Sequence, residues 1–99
     1  MVSLNAVEAY ATAVWPHGTH AAVALPDSRK GERVILFTDK EGAAAEAIQT
    51  WAKANGASEL AVPKRIVVID EIPVLGSGKT DYVVLQRMAA EQFAEARAA

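Results

Sequence analysis

Ile66-Val67-Val68-Ile69 is the most β-branched run of the chain, and the residues after it limit how the chain can fold. β-Branched side chains restrict χ1 and suit the extended backbone of a strand. The run passes through Asp70-Glu71-Ile72-Pro73 into Val74-Leu75-Gly76-Ser77-Gly78-Lys79-Thr80, a glycine-rich turn with one lysine at its end. Asp81 then offers a capping carboxylate to a last helix reaching about Ala96, with Leu85, Met88, Ala89 and Phe93 inward. A strand, a flexible turn and a helix are thus expected in immediate succession, with the lysine held between the glycines and the helix start.

The rest of the chain supplies partners for that strand. Leu4, Val7, Ala11, Val14 and Trp15 recur at helical spacing. Ser3 or Asn5 is the expected cap, and Pro16 and Gly18 end the helix. Ala21 to Leu25 reads as a buried strand closed by Pro26-Asp27, and Glu32 to Thr38 as a second strand centred on Val34-Ile35-Leu36-Phe37. Their short connection predicts an antiparallel pair. Glu41 to Asn55 reads as a helix with Ala44, Ile48, Trp51 and Ala52 on one face and Gly56 as its stop. Pro63 opens the next segment. The order is α-β-β-α-β-loop-α, an α+β fold in which helices cover a small three-stranded sheet.

Ninety-nine residues, 52% apolar and 22% charged, allow one folded domain with one modest core and no internal boundary. A net charge of -2 gives no general attraction to nucleic acid or anionic membranes, so any anion recognition is local. The absence of cysteine excludes disulfides, thiolate metal ligands and a thiol nucleophile. No apolar run approaches a membrane-spanning length, and the N-terminal residues lack the pattern of a signal peptide, so the expected compartment is the cytoplasm.

The Gly-Ser-Gly-Lys-Thr run invites a phosphate-loop reading, which needs a first glycine five residues before the second. Pro73 stands at that first position. Proline lacks an N–H and fixes φ, so it opens an anion nest poorly, and nothing after the last helix supplies a magnesium-binding strand. The plainer alternative is a turn in which Gly76 and Gly78 permit positive φ and Lys79 is solvated.

Wider context favours a third reading. Asp70-Glu71-Ile72-Pro73 followed by Gly76-Ser77-Gly78-Lys79 resembles the last core motif of the adenylate-forming enzymes: acyl-CoA synthetases, luciferases and peptide-synthetase adenylation domains. Three further segments resemble that family in order. They are Met1 to Glu8 for the end of the hinge motif and its helix, Ala22 to Glu32 for a strand, a Pro-Asp turn and a Gly-Glu entry, and Leu60 to Ile66 for the approach to the lysine strand. The similarity covers nearly the whole chain. Within the family, Leu75 to Tyr82 looks most like bacterial acyl-acyl-carrier-protein synthetases, including the form fused to a 2-acylglycerophosphoethanolamine acyltransferase. The broader family often carries arginine three residues after the lysine, where this chain has Tyr82.

The resemblance implies a mobile C-terminal lid domain, spanning residues 1–99, of an AMP-forming acid–thiol ligase. Such an enzyme joins a fatty acid to the α-phosphate of ATP, releases pyrophosphate, and transfers the acyl group to acyl carrier protein or CoA. Lys79 would be the catalytic cation, a point charge suited to the charge around the α-phosphate. Pro73, Gly76, Ser77 and Gly78 would form the loop that supports it; Arg29 and Lys30 read first as a solvated turn, and their functional option under the resemblance is contact with an acidic carrier protein or a CoA phosphate. The rotation hinge is expected just before Met1, and ATP and magnesium would be bound mainly by a large N-terminal domain, with no cofactor or metal held here. The resemblance also admits a place at the inner face of a bacterial membrane through the rest of the protein. These residues alone are then expected to fold but not to turn over substrate. The competing reading is a noncatalytic module of the same fold that docks a carrier protein or regulates a partner.

Other residue types in this pattern point to structure. His17 and His20 lack a carboxylate or cysteine set at metal-ligand spacing, and Ser77 has no histidine or aspartate partner. Trp15 and Trp51 fall on helix stripes, while Asp70 and Glu71 end a strand and read as loop entry rather than a catalytic pair.

Overall fold

The computed structural model describes residues 4–27, 31–57, 62–63 and 65–93. Helix α1 spans Leu4–Val14, strand β1 His20–Asp27, strand β2 Gly31–Thr38, helix α2 Ala45–Asn55, strand β3 Arg65–Val68 and helix α3 Tyr82–Phe93. This is the α+β order expected from the sequence.

The sheet runs β1-β2-β3. Strands β1 and β2 pair antiparallel, with Ala21 opposite Phe37 and Val23 opposite Ile35. Strand β3 lies parallel to β2, with Leu36 opposite Ile66, and α2 makes the crossover that a parallel pair requires. Central β2 is covered on both faces, which explains its unbroken apolar run. Val34 and Leu36 pack with Val7 and Ala11 of α1 and Ile48 and Ala52 of α2. Ile35 and Phe37 pack on the opposite face with Ile72 and with Leu85 and Ala89 of α3. The sheet is therefore the middle of three layers, and Ile72 places the approach to the lysine turn in the same layer as α3.

Local chemistry sets the helix ends. Gly56 ends α2 with φ +68, and Ala57 N–H donates to the Ala52 carbonyl at 2.9 Å. Only glycine adopts that left-handed stop cheaply. At the other end α2 starts later than Glu41. Gly42 takes φ +81 in a turn, and Ala44 is an exposed cap with extended backbone rather than a member of the buried face. Asn5 lies inside α1 and so does not cap it, whereas Ser3 is outside the described residues. Ala94 to Ala96 and the side chain of Phe93 are also outside them.

Buried His20 and Thr38 are matched to each other. His20 Nε2 lies 2.7 Å from the Trp15 carbonyl oxygen, which can only accept, so that nitrogen carries the hydrogen. Its Nδ1 lies 2.8 Å from the Thr38 hydroxyl, which also accepts from Lys40 N–H at 3.0 Å. A Cβ on Gly18 would come within 2.9 Å of the His20 ring, so the backbone there approaches as closely as glycine permits. His20 thus ties the end of α1 to the sheet, as the structural reading expected, while His17 is exposed.

Candidate functional site

The lysine turn is a small hairpin. Val74 and Thr80 form an antiparallel bridge. Above it, Leu75 N–H donates to the Lys79 carbonyl at 2.7 Å and Gly78 N–H donates to the Leu75 carbonyl at 2.8 Å. This leaves Gly76-Ser77-Gly78 as a three-residue loop, a type normally closed by one residue at positive φ. Gly78 supplies it, with φ +92. Gly76 does not have positive φ, so one of the two glycines uses that freedom, because this loop needs a left-handed residue at a single place.

The base of the hairpin is fixed on both sides. Ile72 is buried on the way in. On the way out, Asp81 N–H donates to the Pro73 carbonyl at 2.9 Å, and Asp81 Oδ1 accepts from Val84 N–H at 3.2 Å. Asp81 is therefore the N-cap that the sequence predicted, and the same residue clasps the hairpin. One turn later Leu85, fully buried, seats α3 on the sheet.

Lys79, Ser77, Gly76 and Gly78 are all exposed, and Pro73 is half-buried. Among the described residues no hydrogen-bond or ion-pair partner meets the Lys79 ammonium. Near it in the chain, Val74, Leu75, Tyr82 and Val83 stand 59%, 46%, 43% and 70% exposed. Asp70 and Glu71 are exposed at the strand end, as loop entry would have them, and Trp15 and Trp51 pack partly buried against the core. Arg29 and Lys30 lie outside the described residues. Among the described residues no three His, Cys, Asp or Glu side chains come together to hold a metal ion, so the magnesium implied by the resemblance finds no ligand set on them. No described helix is long and apolar enough to cross a membrane.

One contact at this site was invisible in the sequence. The Tyr82 hydroxyl donates to Glu8 Oε2 at 2.6 Å, across 74 positions of chain. The same carboxylate oxygen accepts from Ala22 N–H, on the outer edge of β1, at 2.8 Å. Partial burial, then the hydrogen bond and charge of Glu8, push the Tyr82 hydroxyl up to about 12 from its ordinary 10.0. No local spacing signals such a pair, since each residue belongs to a different helix.

Residues 7–79 match the family model of the AMP-binding enzyme C-terminal domain. Among solved structures, the chain is similar to the amide bond synthetase McbA of Marinactinospora thermotolerans, with 27% identity, 88% of this chain and 18% of that chain covered, and a TM-score of 0.74. It is also similar to an acyl-CoA synthetase of Brucella canis, with 26% identity, 90% and 17% coverage and a TM-score of 0.73. MbtA of Mycobacterium smegmatis gives 25% identity, 87% and 17% coverage and a TM-score of 0.76. The chain thus spans under a fifth of the length of each of these proteins. It belongs to the family of AMP-binding enzyme C-terminal domains, and with it to the adenylate-forming superfamily.

Proposed function

We propose that this chain is the mobile C-terminal lid of an ATP-dependent acid–thiol ligase, and that Lys79 is the cation it delivers to the adenylation reaction. The observation that carries this reading is the exposed Lys79, without a partner among the described residues, on a hairpin clasped at its base by Asp81 and Pro73. The carboxylate of the acid attacks the α-phosphate of ATP, pyrophosphate leaves, and negative charge spreads over the oxygens between them. A positioned ammonium stabilises that charge in the transition state, and positioning keeps the benefit from being lost to reorganisation. Pro73, Gly76, Ser77 and Gly78 form the reach of the finger. The pockets for ATP and acid lie on a large N-terminal domain, so the chain alone folds but does not turn over substrate.

Within the superfamily, the run Leu75 to Tyr82 favours a fatty acid as the acid and acyl carrier protein as the thiol acceptor, with CoA as the alternative acceptor. Arg29 and Lys30 supply the positive charge that either acceptor would meet. The test is Lys79→Ala in the complete gene product. ATP–pyrophosphate exchange should fall by several orders of magnitude, while thioester formation from preformed acyl-adenylate continues. Unchanged exchange would leave the noncatalytic docking module as the surviving reading.

A further inference from the structure

We propose that Tyr82 and Glu8 form a positioning pair that holds the Lys79 hairpin in register with the sheet, so that their hydrogen bond sets the rate of the half-reaction Lys79 serves. The inference rests on the proposed role of Lys79 and extends it to two residues that touch no substrate. Three observations carry it. Asp81 binds the Pro73 carbonyl and caps α3, so the hairpin and the first turn of α3 move as one piece. The first fully buried residue of that helix is Leu85, which leaves Tyr82 and Val83 in front of it on the exposed surface. Ahead of Leu85, the described hydrogen bond from this turn to another layer of the fold is the one from the Tyr82 hydroxyl to Glu8.

Glu8 is well suited to be the fixed end. It sits one position after Val7, which is fully buried, and its carboxylate is already held by Ala22 N–H on the edge of β1. A phenol donating to a carboxylate at 2.6 Å has the short, charge-assisted geometry of the stronger hydrogen bonds. The pair therefore links α1, β1 and α3 at one point, and α3 carries the hairpin. Displacement of a reacting cation by about 1 Å can cost about a hundredfold in rate. Loosening a finger rather than removing it should cost less, about tenfold.

The experiment measures both half-reactions in the complete gene product, with Lys79→Ala as the control. Tyr82→Phe and Glu8→Ala should each lower the kcat of ATP–pyrophosphate exchange about tenfold, with KM for ATP and acid unchanged. Thioester formation from preformed acyl-adenylate should stay at the wild-type rate. Glu8→Gln keeps an oxygen that can accept from both Tyr82 and Ala22, and should restore exchange to within about twofold of wild type. The Tyr82→Phe/Glu8→Ala double variant should be no slower than Glu8→Ala alone, because Glu8→Ala has already removed the bond that Tyr82→Phe removes. Wild-type exchange by Tyr82→Phe while Lys79→Ala is dead overturns the pair and spares the lysine. An equal fall in both half-reactions also overturns it, since that is the mark of a general folding defect. Wild-type exchange by Lys79→Ala overturns the functional reading and this inference together.

Discussion

Replacing Gly78 with alanine, and Gly76 with alanine beside it, separates two glycines that look equivalent in the sequence. Gly78 holds φ +92, while Gly76 does not have positive φ. A Cβ built at either position meets nothing within 4 Å, so packing contributes nothing and the backbone alone decides the outcome. A non-glycine residue in the left-handed region costs about 1–2 kcal/mol. Against this, alanine narrows the unfolded ensemble and contributes about 0.4–1 kcal/mol of stability wherever its native conformation is unstrained. Gly78→Ala should therefore destabilise by roughly 0.5–1.5 kcal/mol, and Gly76→Ala should be neutral or stabilising by up to about 1 kcal/mol. Urea denaturation of the chain followed by circular dichroism measures the gap. At about 1–3 kcal/mol per molar for the urea dependence, the two midpoints should differ by roughly a few tenths of a molar to two molar, with Gly78→Ala the lower. Equal midpoints, or a larger loss at Gly76, would refute the assignment of the turn's conformational demand to Gly78.

Two further perturbations probe the frame that holds the finger. Leu85→Ala removes a fully buried side chain from the layer that also holds Ile72, and should cost about 2–5 kcal/mol in the same denaturation assay. A loss below about 1 kcal/mol would mean that α3 is not seated through Leu85. The Tyr82 hydroxyl gives a pH signature. Its folded value of about 12 lies above the ordinary 10.0, so the folded chain holds this proton more tightly than the unfolded one. The resulting stabilisation is complete below pH 10.0 and is lost as pH rises toward about 12. The difference in stability between wild type and Tyr82→Phe should shrink across that window, and a constant difference would contradict it.

Much of this fold was legible because its determinants are local. The spacing of Val7 and Ala11, the four-residue apolar centre of β2, the Gly56 stop and the Asp81 cap each act within one or two turns of chain. The late start of α2 was not legible, since alanine content alone does not reveal that Gly42 would take positive φ and hold the chain in a turn. The loop was half legible. Two glycines announce a turn, but which one carries the left-handed residue depends on the Val74–Thr80 bridge, and that follows from how Ile72 and Leu85 seat the two arms. The Tyr82–Glu8 bond is wholly tertiary. It exists because α1 and α3 lie on opposite faces of the sheet and meet at the outer edge of β1, where Gln86 Nε2 likewise donates to the Ala24 carbonyl at 2.7 Å. Glu8, accepting from Ala22 N–H, and Gln86, donating to the Ala24 carbonyl, satisfy backbone groups that would otherwise offer an open strand edge.

The surroundings of Lys79 bear on how its charge could work at a site built elsewhere. A lysine held in a local ion pair would have to break that pair before serving another surface. Lys79 is exposed, and on the proposed reading the main cost comes when docking strips the water from it. Dehydrating an ion costs several kcal/mol unless new partners replace the water. Val74, Leu75, Tyr82 and Val83 lie close to it in the chain, each more than two-fifths exposed, and on the proposed reading they act as its apolar collar. Fully covering an aliphatic or aromatic side chain contributes about 1.5–3 kcal/mol, so covering four that are already partly buried contributes several kcal/mol. The two quantities are of similar size. On the proposed reading, burial of the collar offsets dehydration of the ammonium. The negative oxygens of the reacting phosphate and carboxylate then supply the remaining preference for the closed arrangement, and only when substrates are bound. A finger with the same lysine but a polar collar would lack that offset, and would dock weakly whether or not ATP were present.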